Sequence, residues 1–267
     1  MPVLCSEAVV LRTWPVHEAD LIVSFFARDY GRMRGVAKAA LKSRKRFGGA
    51  LEPMTLARAW FAERPRQELV RLDQLEILRS PLSAPVDHTR MTVLSFYAEL
   101  LDEALPERDP QDAVFRLLVA VLEQTSAVVQ GPTEPKPTQA QGNHFRVTQP
   151  WMALTYFSLW MTRLMGLLPD IGRCMVCGEA LRAAEISFSS DADGLFCGLH
   201  ANGSASALSA DSWQLAQRIL HAPVTAFADE LWPRKRGQDL RRFTRQTLER
   251  HLERKLKCAE AIARLGG

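Results

Sequence analysis

No stretch of the 267 residues is apolar for long enough to cross a bilayer. The most apolar run, Trp151 to Met161, gives way at once to Thr162 and Arg163, so it reads as a buried helix. The amino-terminal MPVLCSEAVVLR has no charged leader ahead of an apolar core, and no secretory signal is expected from it. Cysteine is scarce, five in all, with three in one short region. That pattern does not suit a disulfide framework and predicts reduced thiols in a soluble cytoplasmic protein. Nucleotide chemistry lacks its signatures too, since there is no Gly-rich loop ending in Gly-Lys-Ser/Thr and no dinucleotide fingerprint. No Gly-x-Ser-x-Gly elbow is present. The histidines at 17, 88, 144, 221 and 251 stand without a partner carboxylate at telling spacing, and the pair Asp102-Glu103 reads as a solvated helix face. These absences predict a protein that is not an enzyme.

What the chain has is uneven charge. Residues 1–80 hold 14 basic and 9 acidic side chains, residues 81–230 hold 9 and 17, and residues 231–267 hold 11 and 4. Two basic ends bracket an acidic middle, which points to an anionic partner more strongly than the overall net charge of +4 does. The densest cations lie in YGRMRGVAKAALKSRKRFGGALEP, from Tyr30 to Pro53; eight Lys or Arg fall between Arg28 and Arg46 against one acid, Asp29. A run like this repels itself and gains from meeting an anion such as a nucleic-acid backbone. A solvated loop is the plainer alternative. The residues expected to face DNA are Arg32, Arg34, Lys38, Lys42, Arg44, Lys45 and Arg46.

Around this run the first eighty residues read as five short strands, Glu7–Thr13, Leu21–Ala27, Met33–Lys38, Met54–Phe61 and Leu69–Leu78. Five strands with tight links suit a closed five-stranded β-barrel of the OB type, with the cationic run joining strands three and four; other small β-barrels share the pattern. After Ser80-Pro81 and Ala84-Pro85 the period becomes helical. Asp87 is expected to cap one helix, Asp109-Pro110 to start a second, Pro150 to open an apolar third, and Ser209 to cap a fourth. A last long helix after Gly237 carries the stripe Leu240, Phe243, Leu248, Leu252 and Leu256. Its other side is expected to stay wet and positive, with Arg241, Arg242 and Arg245 as a second basic surface. Residues 130–150 hold four prolines and no period, which predicts a surface loop or a disordered insertion.

Cys174-Met175-Val176-Cys177-Gly178 is followed, nineteen residues on, by Cys197-Gly198-Leu199-His200. The spacing C-x2-C-x19-C-x2-H is that of a closed structural zinc site. Two residues between ligands let both side chains face one ion, and four ligands leave no open position for catalysis. Three reduced thiols and a free histidine in a loop are the alternative. The fold class is therefore α+β: an OB-type barrel (1–80), a helical domain (81–170 and 206–267), and a zinc knuckle inserted at 171–205.

This set resembles the bacterial RecO family of recombination mediators. The likeness rests on Tyr30-Gly31, Val36-Ala37-Lys38, the basic Lys42–Arg46, Leu51-Glu52-Pro53, the Cys-x-x-Cys-Gly of Cys174 to Gly178, and the Leu-rich, Lys-rich Leu248–Lys257. Two departures stand out: His200 where zinc-binding members often have a fourth cysteine, and Ala39 where glycine is usual. The resemblance implies a nucleoid-associated protein that binds single- and double-stranded DNA, anneals complementary strands and uses no ATP. It also implies work with RecR on strands coated by single-stranded-DNA-binding protein, whose acidic C-terminal tail docks on the helical domain, to help load RecA. The competing expectation is a zinc-containing scaffold that joins proteins and touches no nucleic acid.

Overall fold

A computed structural model describes residues 2–63, 67–83, 87–126, 150–183, 185–201 and 203–265. The Pro-rich segment, residues 130–149 of it, lies outside these. Five strands, β1 (Leu4–Pro15), β2 (Leu21–Ala27), β3 (Gly31–Ala37), β4 (Leu56–Ala62) and β5 (Val70–Arg79), close into a barrel in the order β1-β2-β3-β5-β4. All pairs are antiparallel except β3 with β5, which run parallel over Gly35–Ala37 and Val70–Leu72. This is the OB-type barrel expected.

The continuous apolar run Ala8-Val9-Val10-Leu11 of β1 is explained by burial on both faces. Ala8 and Val10 point into the barrel, where Phe25 and Phe61 meet edge to face at 5.5 Å. Val9 and Leu11, together with Phe26 of β2, point outward into a second core shared with the helices. A strand that is wet on one side would alternate with polar residues instead. The link from β3 to β4 holds one tight turn, Ala40–Lys42, and then lowers Phe47 and Ala50 into the barrel core as a plug.

The second core belongs to helices α1 (His88–Ala104), α2 (Asp112–Ser126), α3 (Pro150–Leu164), α4 (Ala210–His221), α5 (Gln238–His251) and α6 (Lys257–Leu265). Asp87 caps α1 by accepting the Arg90 N–H at 2.9 Å, and Ser209 caps α4 through the Ser212 N–H. Helix α3 is buried along most of its length and sits at the centre. Between α3 and α4 lies the cysteine-rich segment: Cys174 and Cys177 come first, and Cys197 and His200 follow in the loop of a short hairpin of β6 (Ser187–Phe188) and β7 (Ser206–Ala207).

The barrel is fastened to the helices by a polar seam as well as by packing. Asp102 of α1 accepts from Ser24 Oγ at 2.5 Å and faces Arg12 at 3.6 Å and Arg32 at 3.8 Å. Arg32 Nε donates to the Leu105 carbonyl at 2.8 Å, and its own carbonyl accepts the Arg108 N–H at 3.0 Å. Gly31 has φ +75° and lies flat against the backbone of Asp109. Asp102 was expected on a solvated face; it is buried, because three barrel side chains converge on it.

One element departs from the sequence reading more plainly. The single long helix after Gly237 is two. α5 ends at His251, Glu253 adopts a left-handed φ of 52°, and α6 begins at Lys257. A carboxylate on α1 causes the restart: Glu99 accepts the N–H groups of Lys257 (2.9 Å) and Cys258 (2.7 Å), two of the donors a helix start leaves free. The leucines at 248 and 256 are both buried, the first from α5 and the second from the link just before α6.

Candidate nucleic-acid interface and metal centre

The turn after β3 is held at three points. The Ala39 N–H donates to Asp20 Oδ1 at 2.7 Å, the Leu41 N–H to the Ala19 carbonyl at 3.2 Å, and Arg46 Nη2 to the Lys38 carbonyl at 2.6 Å. Asp20 and Ala19 belong to the β1–β2 loop, so the two loops form one end of the barrel. Lys38, Lys42, Arg44 and Lys45 are exposed there and form no ion pair with any described residue. Four like charges without counterions on one ordered loop attract an anion.

The other three residues expected at this face have different surroundings. Arg46 is half-buried, stacked over Phe47 with its guanidinium bonded to Ser43 and Lys38, so it shapes the turn. Arg34 is exposed but lies 3.5 Å from Glu107. Arg32 is 9% exposed inside the seam to the helices, with Glu107 at 3.2 Å; it belongs to the domain junction and not to the open cationic face.

The second basic surface is also divided. Arg241 is turned inward: it lies over Trp151 at 5.1 Å and donates to Thr155 Oγ1 and to the carbonyls of Arg236 and Arg234. Desolvation lowers its pKa to about 10 despite the nearby Asp239. Arg242 is exposed, and Arg245 is half-buried with its Nε lacking a hydrogen-bond partner among the described residues. Both line a cavity of about 440 Å³ whose apolar wall includes Trp151, Leu154, Phe188 and Ile262. Sequence reasoning assigned Trp151 to the core and did not find this cavity. The break between α5 and α6 sends α6 back across the bundle, and no local pattern shows that.

Cys174, Cys177, Cys197 and His200 come together as expected, with all four ligand atoms within 4.8 Å of one another. His200 Nδ1 lies 3.2 Å from Cys197 Sγ and 3.7 Å from Cys174 Sγ. Ligands about 2.0–2.3 Å from a zinc ion at tetrahedral angles stand roughly 3.5 Å apart, so the set is sized for such an ion. Backbone bonds within each knuckle build the turns: the Gly178 N–H to the Cys174 carbonyl and the His200 N–H to the Cys197 carbonyl, both 2.9 Å. Burial raises the Cys174 pKa, but N–H groups of Cys177, Cys197 and Val176 outweigh it and bring the thiol down to about 6. Cys177 is pushed up by burial and by the neighbouring sulfurs, although the Glu179 N–H opposes this.

The chain matches the model of the recombination protein O N-terminal domain over residues 1–81 and that of the C-terminal domain over residues 85–133 and 143–259. It is 47% identical over 260 residues to the DNA repair protein RecO of Koribacter versatilis (strain Ellin345), covering 97% of this chain and 98% of the relative. The chain belongs to the RecO family. The DNA repair protein RecO of Anaeromyxobacter sp. (strain K) is 31% identical over 97% of the chain and 95% of its own length. That of Pelotomaculum thermopropionicum is 28% identical over 98% and 94%.

The boundary between the two RecO domain models falls where β5 ends and α1 approaches. The resemblance drawn from Tyr30-Gly31 now has a physical content: Gly31 is where the barrel backbone touches the helical domain. The departure at Ala39 has one as well. Ala39 sits at φ 52°, a left-handed conformation that glycine enters freely and alanine at a cost of about 1 kcal/mol. Three hydrogen bonds around the turn hold it there. Among the described residues, no helix is long and apolar enough to cross a membrane.

Proposed function

We propose that this RecO-family chain is a DNA repair and recombination mediator without enzymatic activity, which binds single- and double-stranded DNA at the Lys38–Lys45 end of its barrel. The four exposed, unpaired cations on the ordered β3–β4 link carry this reading. Contacts of this kind neutralise phosphates and read no base edges, so binding is independent of sequence. Two strands held by their backbones keep their bases free to pair while the cations offset strand repulsion, which is the basis for annealing. Family membership supports the remaining steps: cooperation with RecR on strands coated by single-stranded-DNA-binding protein, and help in loading RecA.

Triple reversal of Lys42, Arg44 and Lys45 to glutamate tests the DNA reading. Arg46 is left intact because it supports the turn. Filter binding with labelled single strands is expected to show about a hundredfold weaker affinity at low salt. The slope of log affinity against log salt falls by roughly 2, at about 0.7 for each phosphate that is no longer neutralised. Unchanged affinity and slope would leave the link a solvated face and favour a scaffold that touches no nucleic acid.

The helical cavity is the docking site we assign to the acidic tail of single-stranded-DNA-binding protein. Its support is the pairing of an apolar wall with Arg242 and Arg245, the latter with an unpartnered Nε. An acidic C-terminal peptide with its free carboxylate suits the two arginines. Arg242→Glu with Arg245→Glu is expected to weaken a fluorescent tail peptide at least about tenfold in anisotropy titrations, as removing two charge-assisted hydrogen bonds would. Equal binding by the variant would move the tail elsewhere. The Cys174, Cys177, Cys197 and His200 centre is read as one structural Zn²⁺ site, closed to substrate.

A further inference from the structure

Within the cationic link one large apolar side chain faces water. Leu41 is 62% exposed, between Ala40, which is buried in the barrel core, and Lys42, which is exposed. A single exposed leucine is ordinary on a protein surface. This one differs in how firmly it is presented. It lies on the tight Ala40–Lys42 turn, entered through the left-handed Ala39. Its own N–H is bonded to Ala19, and the residue two before it to Asp20. The Arg46 guanidinium closes the turn from the other side on the Lys38 carbonyl.

The Leu41 backbone therefore cannot rotate the side chain inward without giving up its bond to the β1–β2 loop. In OB-type barrels that loop is one of the two that meet oligonucleotides. On the same loop Val16 is 44% exposed, a second apolar residue on the neighbouring strand end. No exposed aromatic ring occurs in the link itself, where Phe47 is the sole aromatic residue and is 1% exposed.

We propose that Leu41 is the residue that makes this surface prefer single strands, by packing against unstacked bases while Lys38, Lys42, Arg44 and Lys45 hold the flanking phosphates. The occupant follows from charge complementarity: an exposed apolar side chain on a link that also carries four exposed cations, unpaired among the described residues, fits a polyanion with apolar faces, and single-stranded nucleic acid is one. A duplex hides its base faces in the stack and offers the same loop only phosphates. The apolar contact then adds to the electrostatic one for single strands and is absent for duplexes. The inference rests on the reading of the link as the DNA-binding loop.

The test uses the full chain and two ligands, a labelled single strand and a blunt duplex of equal length. Leu41→Ala is expected to weaken single-strand binding about threefold to tenfold, the value of burying roughly half of one leucine side chain. Its salt slope stays unchanged, because every cation that meets a phosphate remains, and its duplex affinity stays that of the parent. Leu41→Trp is expected to bind single strands more tightly than the alanine variant, with tryptophan emission quenched by stacking on single strands but not by the duplex. If Leu41→Ala leaves single-strand affinity intact, or weakens both ligands equally, the proposal is overturned. The glutamate triple variant separates the two ideas. Where that variant loses DNA and the alanine variant does not, only the role of Leu41 fails; where neither loses DNA, the loop reading fails as well.

Discussion

Gly31→Ala is expected to cost about 3–5 kcal/mol of folding stability, toward the top of what single substitutions do. A Cβ built at Gly31 would lie 2.3 Å from the Asp109 carbonyl oxygen and 2.5 Å from the Asp109 carbonyl carbon and nitrogen. All three atoms are backbone, so no side chain can swing aside. The left-handed φ of +75° adds a further penalty for any L side chain. Relief requires prising the barrel from the α1–α2 connection, which breaks the Arg108 N–H to Arg32 carbonyl bond and disturbs the Arg32–Asp102–Ser24 group. Urea unfolding followed by circular dichroism and tryptophan emission would read the loss; a change under about 1 kcal/mol would mean the junction yields more easily than its geometry suggests. Gly49→Ala is the control. Its added methyl would have Ile77 Cδ1, at 4.0 Å, as its nearest neighbour.

The second large effect concerns the metal. Purified protein is expected to carry about one zinc per chain by emission spectroscopy, and Cys197→Ser to carry far less. Binding at such sites is worth about 10–16 kcal/mol in isolated peptides near neutral pH, so a bound ion is expected to order the knuckle. Chelation should therefore raise amide exchange over residues 171–208 while the barrel stays protected. Some loosening should reach the bundle, because Leu181, Ile186, Phe188 and Leu195 pack into the large helical core. Cobalt substitution offers an independent view: a tetrahedral spectrum with thiolate charge-transfer bands supports Cys3His, whereas a bound water would indicate an open site. Protein that is metal-free as purified and equally protected with or without zinc would overturn the assignment.

The sequence displayed the strands, two helix caps and the cysteine–histidine cluster because each depends on neighbours a few residues away. Asp87 needs only Arg90, and Cys174 needs Cys177 at the right spacing to begin a site. The fate of the arginines was less visible. Arg32 and Arg34 alternate onto the same outer face of β3, and the pattern cannot say that Glu107 and Asp102, some seventy residues later, cover one and merely graze the other. Arg241 sits on an apparently wet helix face, yet Trp151 covers it. Both are cases where local period gives the face and distant chain gives its environment. The leucine stripe failed as a single helix for the same reason: Glu99 reorders the backbone from 158 residues away.

That last contact has a consequence for how the chain comes off the ribosome. The barrel pairs strands within its first eighty residues and can close early in synthesis. Helix α1 is made soon after, but its Glu99 carboxylate has only water to meet until residues 257 and 258 have been made. Through most of translation a finished barrel is thus tethered to an unfinished bundle with apolar surface still open. Such a nascent chain offers the kind of open apolar surface that holding chaperones cover.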